Sequence, residues 1–593
     1  MNKPMLTGKI LFALVIVPTA AVFAEIPFFD RELAEVTRLD RLAESTWLAA
    51  TNDAQVAALQ ERVRAAAVRA IGRFPERTPL EVRKVGEEKF DGYRVEKLVF
   101  ASQPGFHVPC HLYLPDSPEF KPPYPALLMP CGHGVEGKSE LVHARGPVVA
   151  VKAGFAALMC DPIDEGECRQ RDGEKMSGVH GHRAAGLRAH LLGENLAMYR
   201  IWDGIRAIDL LCERDDIDRD RIGCAGFSGG GTLTSYMNVF DRRIKCASPS
   251  AFITSISEIA KGPGPQDSEQ IIFGQLGFGL NHFGFLAMRA PNPILPGFSY
   301  DDFFPFAGSI ATFSSAARWY RLHGWGDRID HLECPGRHNW YESEKAGLVK
   351  WMDRWLNGNE SALPFDRYRL GQLNDRLANP PGRDPGLGLG TDPRAMCCHG
   401  SVRTLAGERT IYDLLAAKAA KAASVRKPLT PETVRRVAGI REDADGPMRP
   451  STVKCEFAAD SDGATVLSVT EAIDYDRGVR KFLFNQNGAA EELAAMMMWR
   501  GENLIARRTE DLLAAVRCHL AQTPGKVRLR ADRATAIAAA HARYLHPEYF
   551  SGIELVDPPP AWKQLFDDPL CPVNATDVVF GAYRHYDWTD LVR

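Results

Sequence analysis

The sequence predicts an α/β chain, a mostly parallel sheet with helices on both faces, followed by a second, smaller α/β domain. Three observations carry that expectation. From residue 124 to 336, short apolar runs alternate with amphipathic stretches, the pattern of repeated strand–helix–strand units. A Gly- and Pro-crowded stretch, LANPPGRDPGLGLGTDP (377–393), then interrupts the pattern, and the alternation resumes beyond it. Finally, 593 residues with 45% apolar and 25% charged side chains are ordinary for globular protein and allow about two to four domains. The expected division is a leader over 1–24, a first domain over 25–360, a linker over 361–395 and a second domain over 396–593.

The leader comes first. Lys3 and Lys9 precede ILFALVIVPTAAVFA (10–24), which ends in the small residues Val22 and Ala24. A positive start, a short apolar stretch and a small-residue exit are the marks of a secretory signal peptide. The stretch is shorter than the ~20 residues a spanning helix needs and contains Pro18. A secreted or periplasmic chain is expected, with no membrane association after cleavage. A net charge of −3 and no long basic stripe argue against a nucleic-acid partner.

Residues 31–72 read as helical, because Leu33, Val36, Leu39 and Leu42, then Val56, Leu59 and Val63, recur at spacings of three and four. Two β-rich runs over 90–115 are broken by SQPG, which predicts an antiparallel hairpin. Strands are then expected at PALLMP (125–130), FAALMCD (155–161), RIGCAGFS (221–228), KCASPS (245–250), NPILPGFS (292–299) and IDHLECPG (329–336), with a long amphipathic helix over 192–213. Past the linker, a helix over 411–423 and strands within 451–472 lead into strand, helix, strand and helix over 479–545.

Chemistry is expected at RIGCAGFSGGG (221–231), where an apolar strand runs into a serine and then three glycines. Gly226-Phe227-Ser228-Gly229-Gly230 fits G-x-S-x-G at a strand-to-helix junction, the pattern of a nucleophile elbow. Glycines on both sides let strand and helix approach, and the helix start offers unpaired N–H groups for an oxyanion. A phosphate loop is excluded, since neither G-x-x-x-x-G-K-[ST] nor G-x-G-x-x-G stands here. The base expected after the last strand is His338, in GRHNWY. The acid expected one strand earlier is Asp302 in SYDDFFP, with Asp301 the runner-up, while Glu333 sits inside its strand. Oxyanion donors are expected from Gly229 and from the Gly132–His133 turn of CGHG (131–134), whose imidazole could instead touch substrate.

No metal or other cofactor is expected. Cys397, Cys398 and His399 lack a second CxxC or HxxxH pair. His133, His180 and His182 have no carboxylate or thiolate at ligand spacing. Of the 13 cysteines, Cys160, Cys224 and Cys246 lie in apolar runs and read as small core residues.

The segments PALLMPCGHG (125–134), IWDGIRAIDLL (201–211), DIDRDRIGCAGFSGGG (216–231), DDFFPFAG (301–308) and GRHNWY (336–341) together resemble the secreted bacterial α/β-hydrolases of the acetyl-xylan-esterase and prolyl-oligopeptidase-like group, over about residues 90–357. The resemblance implies an α/β-hydrolase fold and a Ser228–His338–Asp302 serine esterase acting on acetyl or methyl esters of a polysaccharide or oligosaccharide. The sequence departs from the family in DPIDEGECRQR (161–171), where Asp164 and Cys168 stand in place of the usual Gly and Arg. The second domain resembles the degenerate hydrolase unit of two-domain members, with Arg533 where the serine would be. Trp325, Trp340, Phe303 and Phe304 are candidates for covering a sugar face, or for packing the core. The alternatives are a peptidase of the prolyl-oligopeptidase type, which usually carries a propeller ahead of the hydrolase unit, and a non-catalytic polysaccharide-binding module.

Overall fold

Two sheets organise the chain. The computed structural model describes residues 28–171, 178–262, 267–360, 384–441, 451–461, 463–472 and 489–592. The expected leader over 1–24 and the run VRKFLFNQNG (479–488) lie outside these residues.

The run read as helical over 31–72 forms two helices, α1 (Phe28–Leu48) and α2 (Asp53–Ile71). The break is a capped start: the Asn52 side chain accepts the Gln55 amide, taking one of the N–H groups a new helix leaves unpaired. Val36, Val56, Leu59 and Val63 are buried, whereas Leu42 is exposed. Strands β1 (Arg83–Phe90), β2 (Tyr93–Gln103) and β3 (Phe106–Pro115) form an antiparallel meander, so the expected hairpin gains a charged outer strand.

The parallel part follows as β4 (Tyr124–Leu128), α3 (Leu141–Val151), β5 (Ala156–Cys160), α4 (Gly178–Leu191), α5 (Leu196–Cys212), β6 (Ile217–Phe227), α6 (Gly229–Phe240), β7 (Ile244–Ser250), β8 (Gly297–Asp301), α7 (Phe306–Leu322), β9 (Leu332–Arg337) and α8 (Glu342–Asn357). The nine strands lie in the order β1-β2-β3-β5-β4-β6-β7-β8-β9, parallel from β5 onward. This is the α/β-hydrolase architecture, with a core on each face. Alternation along β4 divides them: Ala126 and Leu128 join the core under α1, α2, α5 and α6, while Leu127 and Met129 join the one under α3 and α8.

Helices α9 (Ile411–Ser424) and α10 (Pro431–Ala438) lead to a second sheet. Its elements are β10 (Val453–Ala459), β11 (Thr465–Glu471), α11 (Ala489–Arg500), α12 (Leu504–Gln522), β12 (Val527–Ala531), α13 (Ala536–Leu545) and β13 (Phe550–Leu555). The order is β10-β11-β12-β13, antiparallel at β10 and parallel after it. Leu467, Val469, Leu512, Val516 and Leu529 give this sheet a core of its own.

Of the stretch read as a linker, residues 384–395 are packed. Leu387 and Ala395 are buried in the core under α3 and α8. Tyr93 donates to Asp384 at 2.9 Å, and the Ala395 carbonyl lies 2.8 Å from His111 Nε2. Just beyond, the amides of Cys397 and Cys398 both donate to the buried Glu167 carboxylate, at 2.7 and 2.5 Å. Glu167 and Asp161 also hold the fully buried Lys138 ammonium, at 2.7 and 2.6 Å. The segment after residue 383 is thus strapped across the first sheet. Among the described residues, no helix is long and apolar enough to cross a membrane.

Candidate active site

Four loops at the C-terminal ends of the parallel strands β4, β6, β8 and β9 supply the site, where an open α/β sheet offers its crevice. At the end of β6, Ser228 takes φ 58°, ψ −122°, a conformation that costs a non-glycine residue on the order of 1–3 kcal/mol. Its backbone N–H donates to the Ser250 carbonyl at the end of β7, 3.0 Å away. The glycines explain why the turn closes so tightly. A Cβ on Gly230 would stand 2.1 Å from the Pro130 carbonyl oxygen, and one on Gly231 2.1 Å from that of Ser250.

The turn carries Ser228 Oγ to 2.9 Å from His338 Nε2. His338 follows β9, and its Nδ1 lies 2.9 and 3.0 Å from the two carboxylate oxygens of Asp302, which follows β8. The Asp302 carboxylate also accepts the Phe304 amide at 2.9 Å and is buried, whereas Asp301 is exposed. Glu333 bonds His331 and Tyr300. The structure therefore brings Ser228, His338 and Asp302 together in one hydrogen-bonded line and leaves Asp301 and Glu333 outside it.

The loop after β4 passes over this line. A Cβ on Gly132 would lie 3.1 Å from Ser228 Cβ, and one on Gly229 2.6 Å from the His133 ring. Gly229 opens α6, so its amide has no acceptor within the helix and sits at the positive end of the dipole. His143, buried behind the loop, is held down at about 3 by burial and stays neutral.

The aromatic candidates separate. Phe303 packs its partly exposed ring on His338, 4.2 Å between centroids. Trp340 is fully buried and stacks on Phe227, and Phe304 is also buried. Trp325 stacks on His323 in the aromatic cluster of Trp319 and Tyr320, and makes no ring contact with His338. Of the four, Phe303 is the ring both partly exposed and beside the histidine. Asp164, in the loop after β5, has φ 64°, a left-handed backbone conformation that aspartate tolerates better than most residues.

Glu344 lies behind the acid, buried, and burial pushes its carboxyl up to about 7. In the unfolded chain the same group titrates near 4.5, so the folded state holds the extra proton between about pH 4.5 and 7. Stability therefore falls as pH rises through that window and levels off above it. Glu344→Gln removes this contribution. The variant is expected to match the wild type near pH 4.5 and to exceed it at pH 8 by on the order of 3 kcal/mol, read as the difference between two urea-unfolding series. Parallel pH profiles for the two proteins would refute the assignment.

One group of residues was not legible in the sequence. His133 Nε2 lies 2.6 Å from Asp267 Oδ2 and 3.3 Å from His182 Nδ1, with Glu269 Oε1 at 3.7 Å. His182 Nδ1 is itself 2.8 Å from Asp267 Oδ2. Burial works against a charge on His182, yet the Asp267 carboxylate holds it up at about 9. Two carboxylates thus do meet His133 and His182, those of Asp267 and Glu269, which stand far from both in sequence; His180 is not among the group.

No family model matches the chain. It is 28% identical over 187 residues to "Putative hydrolase YtaP" of Bacillus subtilis (strain 168); the match covers 30% of this chain and 59% of that protein's length. Among solved structures, it is similar to "Methylesterase BT1017", at 18% identity and TM-score 0.46 over 67% of this chain and 80% of that one. It is also similar to a glucuronoyl esterase from Solibacter usitatus, at 14% identity and TM-score 0.40 over 51% and 94% of the two chains. A third is an acetyl xylan esterase from Paenibacillus sp. R4, at 18% identity and TM-score 0.36 over 53% and 99%.

Proposed function

We propose that the protein is an exported serine carboxylic-ester hydrolase that removes acetyl or methyl esters from a polysaccharide or oligosaccharide. One observation carries the reading: the line Ser228 Oγ–His338 Nε2 at 2.9 Å and His338 Nδ1–Asp302 at 2.9 Å, built on a serine with φ 58°. His338 takes the Ser228 proton as the oxygen attacks the acyl carbon, and Asp302 fixes the ring and stabilises the imidazolium. The amides of Gly229 and of the Gly132–His133 turn hold the oxyanion. The alcohol leaves with the proton from His338, and a water repeats the two steps on the acyl-enzyme.

The hydrolase named in the 28% identical relative supports the reaction class. The carbohydrate substrate rests on the segments that resemble acetyl xylan esterases, and export on Lys3, Lys9 and the apolar stretch to Ala24. We read the second sheet as catalytically inert, serving structure or association: at the turn after β12 stands Arg533, and the nearby Thr535 hydroxyl is tied to Asp532 and to the Val469 carbonyl. A peptidase of the prolyl-oligopeptidase type would usually place a propeller ahead of the sheet; the described residues before β4 form helices α1 and α2 and three antiparallel strands.

The test measures acetate and methanol released from a panel of esterified polysaccharides, beside p-nitrophenyl acetate and a proline-peptide amide. Ester cleavage, an inert amide and a fluorophosphonate adduct on Ser228 are expected. Cleavage of the amide alone would favour the peptidase, and no release with no adduct would overturn the reading.

A further inference from the structure

We infer that His133 Nε2, His182 Nδ1, Asp267 Oδ2 and Glu269 Oε1 form a binding site for one divalent transition-metal ion of the zinc class, which pins the loop over Ser228 to the turn at 267–270.

The four atoms lie within 4.8 Å of one another, and three of the four residues are fully buried. Direct hydrogen bonds do not satisfy the group. His182 Nε2 lies 2.7 Å from the Ile163 carbonyl and must carry a proton to bond it, so Nδ1 is the nitrogen turned to the cluster. Both imidazoles converge on the same oxygen of Asp267. Even with both of those nitrogens protonated, Glu269 Oε1 is left buried with no hydrogen-bond partner, and a buried carboxylate oxygen without one is costly. A dication among the four atoms satisfies all of them at once and balances the two carboxylates, of which Glu269 alone has a cation, Arg200, on its other oxygen.

The spacing and the supporting bonds agree with this. Tetrahedral zinc, with bonds of about 2.0–2.1 Å to nitrogen and oxygen, sets its ligands about 3.3 Å apart. The imidazole pair already stands at 3.3 Å and the His133–Glu269 pair at 3.7 Å; Asp267, at 2.6 and 2.8 Å, needs to draw back by about 0.5 Å. Each buried donor is oriented from behind, as metal ligands generally are. His182 bonds the Ile163 carbonyl, Asp267 Oδ1 accepts the Glu269 amide at 3.2 Å, and Glu269 Oε2 meets Arg200. Two imidazoles and two carboxylates suit a transition-metal dication of intermediate softness, zinc among them.

The ion's part in shaping the loop rests on the esterase reading, but its binding does not. The test therefore uses metal content and unfolding temperature, with no substrate. The full mature chain, made without a histidine tag, is stripped with a chelator, equilibrated with zinc sulfate and desalted. Wild type is expected to retain one zinc per chain and to unfold at a temperature that rises with zinc concentration. Glu269→Gln, which keeps the shape, and His133→Ala, on the more exposed loop, are each expected to weaken binding at least tenfold. A folded wild type that retains no zinc overturns the site, as does equal retention by both variants. Zinc bound at one per chain with no ester cleaved on any substrate would leave the site standing and remove the esterase.

Discussion

Ser228→Ala is expected to lower kcat/KM on an aryl ester by at least about 10⁴-fold while leaving the unfolding temperature close to that of the wild type. The size follows from what is lost. Without Oγ there is no nucleophile, and His338, 2.9 Å away, has nothing to deprotonate. Whatever rate remains comes from the amides of Gly229 and the loop above it acting on a water. Because the three groups act as a unit, His338→Ala is expected to cost about as much, and the double variant hardly more than either alone. Stability barely moves, since alanine inherits the same φ of 58°. Ser228→Gly, by contrast, relieves the backbone and is expected to gain about 1 kcal/mol in urea unfolding while being equally inactive. If either serine variant kept more than a tenth of the wild-type rate, the nucleophile would lie elsewhere.

The second large effect is expected at Gly230→Ala. The added methyl would meet the Pro130 carbonyl oxygen at 2.1 Å, and that atom is backbone two residues beyond the central strand β4, with no rotamer to escape into. Either β4 or the first turn of α6 must shift. Overpacking of this kind costs up to about 3 kcal/mol. The shift also carries Ser228 away from His338, and a displacement of about 1 Å is enough for a 100-fold loss. Stability and activity should therefore fall together, unlike the outcome for Ser228→Ala. Gly552→Ala is the control: nothing lies within 4 Å of a Cβ built there, and a change within about 0.5 kcal/mol is expected. A Gly230→Ala protein as stable as that control would mean the elbow is looser than its geometry implies.

How much of this could be read from the chain depended on whether the signal was local. Ser228 stands in a five-residue pattern after an apolar strand, and His338 and Asp302 each follow a strand of their own, so chain order pointed to all three while leaving Asp301 as a second candidate for the acid. Asp267 and Glu269 had no such marker. They reach His133 across more than 130 residues of chain, on a short turn whose position is set by α4, α5 and, through the Trp499 indole on the Gln270 carbonyl, by α11. Strand β1 was missed because RKVGEEKF is charged and largely exposed, the composition of a protected sheet edge rather than of a core strand. Residues 384–395 read as a linker because Gly and Pro crowd them, yet two buried side chains, Leu387 and Ala395, fix their place. Trp325 and Trp340 looked suited to sugar by proximity in sequence, and tertiary packing used them otherwise.

The strap that crosses the first sheet has a bearing on how such a protein could arise or be cut down. Glu167 sits in the part of the chain that also carries the reacting groups, while two of the amides that hydrogen-bond it belong to Cys397 and Cys398, beyond that part. A shortened open reading frame ending near codon 360 would keep every group that touches an ester and lose Leu387 and Ala395 from the core beneath. Loss of that later part is therefore expected to be felt first as a folding defect in the sheet that carries Ser228, before any group at the ester is touched.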